Sequence, residues 1–177
     1  MNIGTKTLLF GCHQFILHPI YTWLGWRKVY GPHYSSLIWI AFIMHDWGLW
    51  GMKEFDGPED NHTVRSAQIV DNTCYKLRLP FRSFWDLHCQ VLNHSRFYAS
   101  YMDRTPSQLC AADKVGTALM PSWLWAILAY LTGEGWVYMD NGKYELNKGL
   151  QPRPHTLRAL IRFHKEYKLW AFKEYCP

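Results

Sequence analysis

Apolar residues recur along the chain in runs whose length and spacing are typical of helices. Residues 35–46, SSLIWIAFIMHD, are apolar nearly all round and begin with serines that can cap a helix. Gly48 follows, where a glycine in the left-handed backbone conformation could end the helix. The pattern predicts a buried central helix that has His45 and Asp46 in its last turn.

Other apolar segments have similar start and stop signals. Asn61 can cap one helix, Pro80 can open another, and Thr105 followed by Pro106 can begin a third that places Asp113 in its middle. The tail has leucine and isoleucine at three- and four-residue steps between basic residues, as in an amphipathic helix. The predicted helices cover residues 62–78, 80–94, 105–120 and 155–172.

Three segments differ from this pattern. Residues 115–133 are uncharged over a length that could span a bilayer, but Pro121 interrupts them, so we predict a buried helix pair broken at Pro121 and no transmembrane span. Residues 136–146 contain an Asn-Gly pair between β-prone runs and predict a small hairpin. Residues 48–61 are rich in glycine and acids and predict a long loop.

Length and composition limit the fold and the surroundings. A chain of 177 residues suits one domain, so we expect a single all-α domain over residues 1–177 with about six or seven helices. The net charge is +5, and the basic residues are spread along the chain, so the sequence predicts no basic patch for nucleic acid. Five cysteines without a C-x-x-C pair, and no evident secretory signal, favour the cytoplasm.

Histidines next to apolar helical positions are the candidate functional residues. Nine histidines are present, and His45 and Asp46 adjoin each other in an apolar run where an unpaired carboxylate would be costly. Imidazole and carboxylate ligands without cysteine suit a divalent transition metal, namely Mn, Fe, Co, Ni or Zn.

The order of these residues resembles the HD-domain superfamily of metal-dependent phosphohydrolases, whose signature is a histidine, an adjacent His-Asp pair and a distant aspartate. The matching local sequences are IMHDWG, NHTVRSAQI and LCAADKVGTAL, and the resemblance covers about residues 13–125. It implies an HD-type helical bundle with metal ligands at His18, His45, Asp46, His62, His94 and Asp113.

The resemblance leaves open whether the site holds one metal ion or two. In members that have two additional histidines between the His-Asp pair and the distant aspartate, here His62 and His94, these histidines hold a second ion. The aspartate of the His-Asp pair, here Asp46, then bridges the two ions. In mononuclear members a histidine instead donates a proton to the leaving group. We favour two ions, because helix-forming sequence beside His62 and His94 could direct both inwards. Asp46, His62 and His94 are therefore the candidate catalytic residues.

Other histidines are weaker candidates. His13 lies five residues before His18 on one predicted helix, and the 27-residue spacing to the His-Asp pair favours His18. His88 and His94 are six apart on another predicted helix, so they do not share a face. His33 follows a Gly-Pro pair and predicts a surface turn.

The family resemblance implies hydrolysis of a phosphoester or phosphoanhydride by metal-activated water. The substrate would be a small phosphorylated molecule, with a nucleotide as one candidate because Trp47 and Trp50 flank the predicted loop, although core packing explains them too. The candidate substrate-binding cations are Arg96, Lys114, Lys53 and Arg65.

The subfamily stays open. Several nucleotidase members have an acid three residues after the HD aspartate, where this chain has Leu49, and no GYP triplet of the cyclic-dinucleotide phosphodiesterases occurs. The loop acids Glu54, Asp56, Glu59 and Asp60 could replace the missing carboxylate. An HD-fold diiron oxygenase and a metal-containing binding module without turnover are the alternatives, and the oligomeric state is open.

Overall fold

A computed structural model describes residues 1–53, 62–145 and 156–176, with the backbone alone for residues 140–145. These residues form ten α-helices, one short 3-10 helix and no strand, so the predicted all-α fold is confirmed. The α-helices are α1 Ile3–Phe10, α2 Leu17–Tyr30, α3 Ile38–Met44, α4 His62–Lys76, α5 Phe81–Leu92, α6 Arg96–Tyr101, α7 Gln108–Leu119, α8 Ser122–Thr132, α9 Glu134–Glu145 and α10 Leu157–Tyr175. The 3-10 helix, Trp47–Leu49, lies between α3 and α4.

The most extensive helix contact joins α2 to α7. Two glycines permit it: a Cβ at Gly25 would overlap the backbone of Ala112 and Gly116, and a Cβ at Gly116 would overlap the Tyr21 carbonyl. Small residues let two helix backbones approach closely, and any larger side chain here would push the helices apart.

Two apolar clusters surround this pair of helices. Phe42 of α3 is fully buried in the larger cluster, where its ring meets Trp26 edge to face at 5.6 Å. Trp125 of α8 occupies the smaller cluster and stacks on Phe163 of α10 at 5.9 Å. Rings of this size bury enough apolar surface to dominate the stability of each cluster.

The central helix is shorter than predicted. It ends at Met44, and Gly48 lies in the following 3-10 helix, where its φ is not positive. The predicted left-handed cap at Gly48 is therefore wrong. Glycine is needed there for a close approach: a Cβ would overlap the His62 carbonyl, and the Gly48 amide donates a 2.9 Å hydrogen bond to the Ser66 hydroxyl.

The predicted hairpin at 136–146 is also wrong. Residues through 145 are helical in α9, and residue 146 lies outside the described residues. Gly133 ends α8 in the left-handed conformation, and the next helix starts at once. Met139, 6% exposed, packs into the smaller apolar cluster beside Trp136, and this burial outweighs the local turn preference of the Asn-Gly pair.

Several helix boundaries differ by a few residues. Helix α7 starts after Ser107, whose hydroxyl accepts from the Cys110 amide, and the predicted cap at Thr105 is not used. A break between α1 and α2 contains His13, so His13 and His18 do not share one helix. His94 likewise lies beyond the end of α5. Asn61 and the loop from residue 54 to 61 are outside the described residues.

The predicted break at Pro121 is confirmed. Helices α7 and α8 meet there at an angle of 103°. No single helix among the described residues has the length and apolarity to cross a membrane, and only this bent pair passes by length and composition together.

His164 makes the stability of the fold depend on pH. Burial, opposed in part by a hydrogen bond to the Thr117 carbonyl, lowers the pKa of His164 from 6.5 to about 4. The neutral ring is favoured only in the folded chain, so its contribution is complete above pH 6.5 and is lost as pH falls through 6.5 towards 4. We expect about 2 kcal/mol less unfolding free energy at pH 5 than at pH 7 from this group.

Urea unfolding of the wild type and of His164→Gln at pH 7 and pH 5 measures this contribution. The variant should be less stable at pH 7 but should lose about 2 kcal/mol less on acidification. The same loss in both proteins would contradict the assignment.

Candidate metal centre

Six histidines and aspartates from five parts of the chain meet in the interior. All are buried, with exposed fractions from 1% to 9%. They are His18 near the start of α2, His45 and Asp46 just after α3, His62 at the start of α4, His94 after α5, and Asp113 within α7. The structure brings together all six residues that the sequence indicates as metal ligands.

One half of the cluster surrounds the Nε2 atom of His18. This atom lies 3.0 Å from Asp46 Oδ2, 3.2 Å from Asp113 Oδ1 and 3.0 Å from the Nε2 atom of His45. His45 Nε2 is in turn 3.2 Å from Asp46 Oδ2 and 3.9 Å from Asp113 Oδ1. Two imidazole nitrogens and two carboxylates thus face one small volume.

The second half uses the other oxygen of Asp46. Asp46 Oδ1 lies 3.3 Å from His94 Nε2 and 3.9 Å from His62 Nε2, and these two nitrogens are 3.2 Å apart. The two oxygens of one carboxylate therefore face two separate sets of imidazoles. This is the arrangement expected of a carboxylate that bridges two cations.

Backbone carbonyls fix two of the rings. The Nδ1 of His45 lies 3.1 Å from the Phe42 carbonyl and 3.2 Å from the Ala41 carbonyl, and the Nδ1 of His94 is 2.6 Å from the Val91 carbonyl. A carbonyl only accepts, so each Nδ1 must donate and each Nε2 presents a lone pair to the cluster. Such hydrogen bonds orient imidazole ligands in metal sites.

The buried carboxylates need a positive partner. Asp46 Oδ2 and Asp113 Oδ1 are both inaccessible to solvent and accept no hydrogen bond from the described residues. An orphaned buried oxygen is costly unless a cation or donor meets it. The donor set of four imidazoles and two carboxylates fits a divalent transition metal, so these groups could hold a metal ion.

The charges within the cluster agree with this fit. Burial opposes a charge on His18, but the carboxylates of Asp113 and Asp46 outweigh it and raise the pKa of His18 to about 10. Burial, reinforced by His94, lowers the pKa of His62 to about 3. The field of the two aspartates thus attracts positive charge. Without a metal this charge is a proton on His18, which the ring would have to release to bind an ion, whereas His62 is already neutral.

A second buried network adjoins the metal centre at His13. Its ring centre is 5.1 Å from that of His18, its Nδ1 is 3.2 Å from Glu134, and its Nε2 is 3.0 Å from the Tyr138 hydroxyl. Glu134 is fully buried and also accepts from the amide of Cys12. His13 is a weaker ligand candidate than His18 by sequence, and no local signal indicates Glu134 or Tyr138, because their contacts with His13 join residues more than 100 positions apart.

Glu134 accepts from two hydroxyls as well, which satisfies its carboxylate on every side. These hydroxyls belong to Thr7 and Thr132. Despite the burial, His13 and the donors lower the pKa of Glu134, so it is charged. The carboxylate therefore joins α1, the α1–α2 break and the start of α9 behind the metal centre.

Within the part of the chain that the structure describes, the expected substrate-binding cation Lys114 contacts the cluster. Lys114 Nζ lies 3.2 Å from Asp113 Oδ2. Arg96 faces α10, 3.7 Å from Glu174 and over the Trp170 ring. Arg65 and Lys53 are exposed.

The remaining candidates lie apart from the ligands. Trp47 and Trp50 both pack near Phe15, at 5.6 Å and 6.4 Å between ring centres, and Trp50 is 52% exposed. His88 is 2.9 Å from Asp71 on the neighbouring helix. Leu49 is buried in an apolar cluster. The loop acids Glu54, Asp56, Glu59 and Asp60 are outside the described residues.

Metal content should follow the two halves of the cluster. Protein purified with native metal should contain about two ions per chain, and Asp46→Ala should lose both because it removes the shared carboxylate. His62→Ala should keep about one. Elemental analysis measures this, and His88→Ala, in a histidine paired outside the cluster, is the control that keeps both ions.

Equal loss of metal in Asp46→Ala and His88→Ala would contradict the site. Circular dichroism of each variant verifies that the helices are retained.

Glu134 should be important for stability. Replacing it with alanine removes the buried carboxylate that accepts from the His13 ring, the Cys12 amide and the Thr7 hydroxyl, so we expect a loss of about 3 kcal/mol or more in unfolding free energy. Glu166→Ala removes a surface carboxylate that lies one helical turn from Arg162 and should cost under about 1 kcal/mol. Similar losses in the two variants, in urea unfolding, would refute the role of Glu134.

Comparison with known proteins adds no relative. A scan of family models, a search of curated proteins and a search of solved structures each gave no match.

Proposed function

We propose that this protein is an HD-type, metal-dependent phosphohydrolase with two divalent ions. The observation that supports this most directly is Asp46, whose Oδ2 faces His18 and His45 while its Oδ1 faces His94 and His62. The ligand order along the chain is the one that the HD resemblance implies. Mn, Fe, Co, Ni and Zn all suit the ligand set.

Ions held by these six side chains would lower the pKa of water towards about 7 and neutralise charge in an in-line displacement at phosphorus. The chain supplies the surroundings for that chemistry. Burial of every ligand excludes solvent and strengthens electrostatic interactions there. The carbonyls of Phe42 and Val91 keep two imidazoles in place, which spares reorganisation during reaction.

Lys114 is the residue that we assign to the phosphate group. Its ammonium lies beside Asp113 at 3.2 Å, and its side chain is 28% exposed, so it joins the ligand cluster to the solvent. A lysine in this position can attract and hold a phosphoryl oxygen. The substrate class is a small phosphorylated molecule, and Trp50 is the exposed ring that could stack a nucleobase.

We also propose a cytoplasmic location. The five cysteines are all free thiols, and Cys12, Cys74 and Cys110 are buried without pairing. Unpaired cysteines are typical of a reducing compartment.

A diiron oxygenase of the same fold is the second candidate. It is favoured by the contacts that the expected cations make within the described residues: Lys114 contacts Asp113 of the cluster, Arg96 lies beside Glu174 and Trp170, and Lys53 and Arg65 are exposed. A site for a phosphate dianion would gain from more positive charge, whereas a neutral hydroxylated substrate would not need it.

Phosphate release from a panel of nucleotides and phosphoesters, with Mn or Co present, tests the hydrolase. Lys114→Met should lower kcat/KM by about tenfold to a hundredfold, in line with the loss of one charged hydrogen bond. Lys165→Met, in an exposed lysine of α10, is the matched control and should retain activity.

The two candidates give opposite results in this assay. Absence of phosphate release with every substrate, together with iron-dependent oxygen consumption, would replace the hydrolase with the oxygenase. Retained activity in Lys114→Met would remove the assignment of that lysine.

A further inference from the structure

The turn between α4 and α5 exposes an unusual group of apolar side chains. Tyr75 is 84% exposed, Leu77 57%, Phe81 76% and Trp85 53%. Phe81 and Trp85 lie one helical turn apart with their rings nearly parallel at 6.4 Å. Large apolar groups gathered at one projecting turn are typical of an interaction surface, whereas isolated ones are not.

Three cations lie among these apolar groups. Lys76, Arg78 and Arg82 are exposed, and none forms an ion pair within the ranges that the structure describes. Residues 75–86 contain a single acid, Asp86. We refer to Tyr75, Lys76, Leu77, Arg78, Phe81, Arg82 and Trp85 together as the α4–α5 tip.

The backbone of Arg78 adds a second, independent observation. Its φ is 53°, in the left-handed region, while the Leu79 amide donates to the Cys74 carbonyl and the Arg78 amide to the Tyr75 carbonyl. This is the helix ending in which glycine is strongly preferred. An arginine there is strained, yet it places a third cation at the tip.

The tip lies away from the metal centre. Helix α4 begins at the ligand His62, and α5 ends two residues before the ligand His94, so both helices lead from the centre to the turn. Fifteen residues of α4 span roughly 20 Å. A partner at the tip would therefore leave the metal centre accessible.

We propose that the α4–α5 tip docks this protein on the surface of a bilayer that contains anionic phospholipids. Tyrosine and tryptophan favour the interface between headgroups and acyl chains, and leucine and phenylalanine gain from burial just below it. Lysine and arginine beside them meet lipid phosphates. This inference is independent of the reaction at the metal centre.

A lipid surface fits the tip better than the other anionic partners. Single-stranded nucleic acid is usually held in a charged groove with rings along its floor, but these side chains are exposed on the end of α4, the following turn and the start of α5. The aliphatic Leu77 at the tip gains nothing from phosphate or base stacking, and it gains from an apolar layer. The net charge of the tip is positive, which complements anionic headgroups.

Cosedimentation of the full chain with phosphatidylcholine vesicles, with and without phosphatidylserine, tests the proposal. We expect binding to the phosphatidylserine vesicles that weakens as salt is added, and at least tenfold weaker binding to phosphatidylcholine alone. Phe81→Ser with Trp85→Ser should weaken binding about tenfold or more, because it removes the two inserted rings.

Arg78→Gly separates loss of binding from loss of folding. Glycine relieves the left-handed backbone, so the melting temperature should rise, while the lost cation should weaken binding about fivefold. Lys165→Ala removes one exposed cation from α10 and is the matched control, which should bind within about twofold of the wild type.

Three results would overturn the proposal. One is the same affinity for both kinds of vesicle. Another is unchanged vesicle binding both in the single variant Arg78→Gly and in the double variant that combines Phe81→Ser with Trp85→Ser. The third is a different occupant: tighter binding of a single-stranded oligonucleotide, or a dimer in solution that Phe81→Ser dissociates.

Discussion

The buried carboxylate of Asp46 is the constraint on which the site depends. It follows the apolar helix α3 directly, is 5% exposed, and has one oxygen without any hydrogen-bond donor among the described residues. Burying a charge in this way is costly unless positive charge compensates it. Imidazoles from α2 and α4, together with His45 and His94, surround it on both oxygens. A pair of cations would compensate the charge of the carboxylate and would be bound by these imidazoles as well.

Helix ends and close helix packing together build this centre. Consecutive residues within a helix point about 100° apart, but His45 and Asp46 can face one volume because the backbone leaves the regular helix at Asp46, whose φ is −105° and ψ 0°. Gly48 then lets the chain press against the start of α4, where His62 lies. Gly25 and Gly116 do the same for α2 and α7, which carry His18 and Asp113. Backbone proximity, fixed by three glycines, thus sets the distances between ligands.

The sequence predicted which histidines and aspartates lie together better than it predicted the helix boundaries. His45 and Asp46 were detectable because charged groups in an apolar run require partners. The hairpin at 136–146 failed because packing of Met139 overrides an Asn-Gly turn signal. Glu134 could not be detected, since its partner Thr7 is 127 residues away and local sequence contains no trace of such a contact. Long-range burial is the information that a single sequence lacks.

Anomalous X-ray diffraction from crystals of the protein with its native metal can show whether Asp46 bridges two metal ions. We expect two anomalous peaks about 3.5–4 Å apart, one on each side of the Asp46 carboxylate. One peak would lie among His18, His45 and Asp113, and the other between His62 and His94. Metal found elsewhere in the protein, with no peak beside Asp46, would show that Asp46 does not bridge two ions.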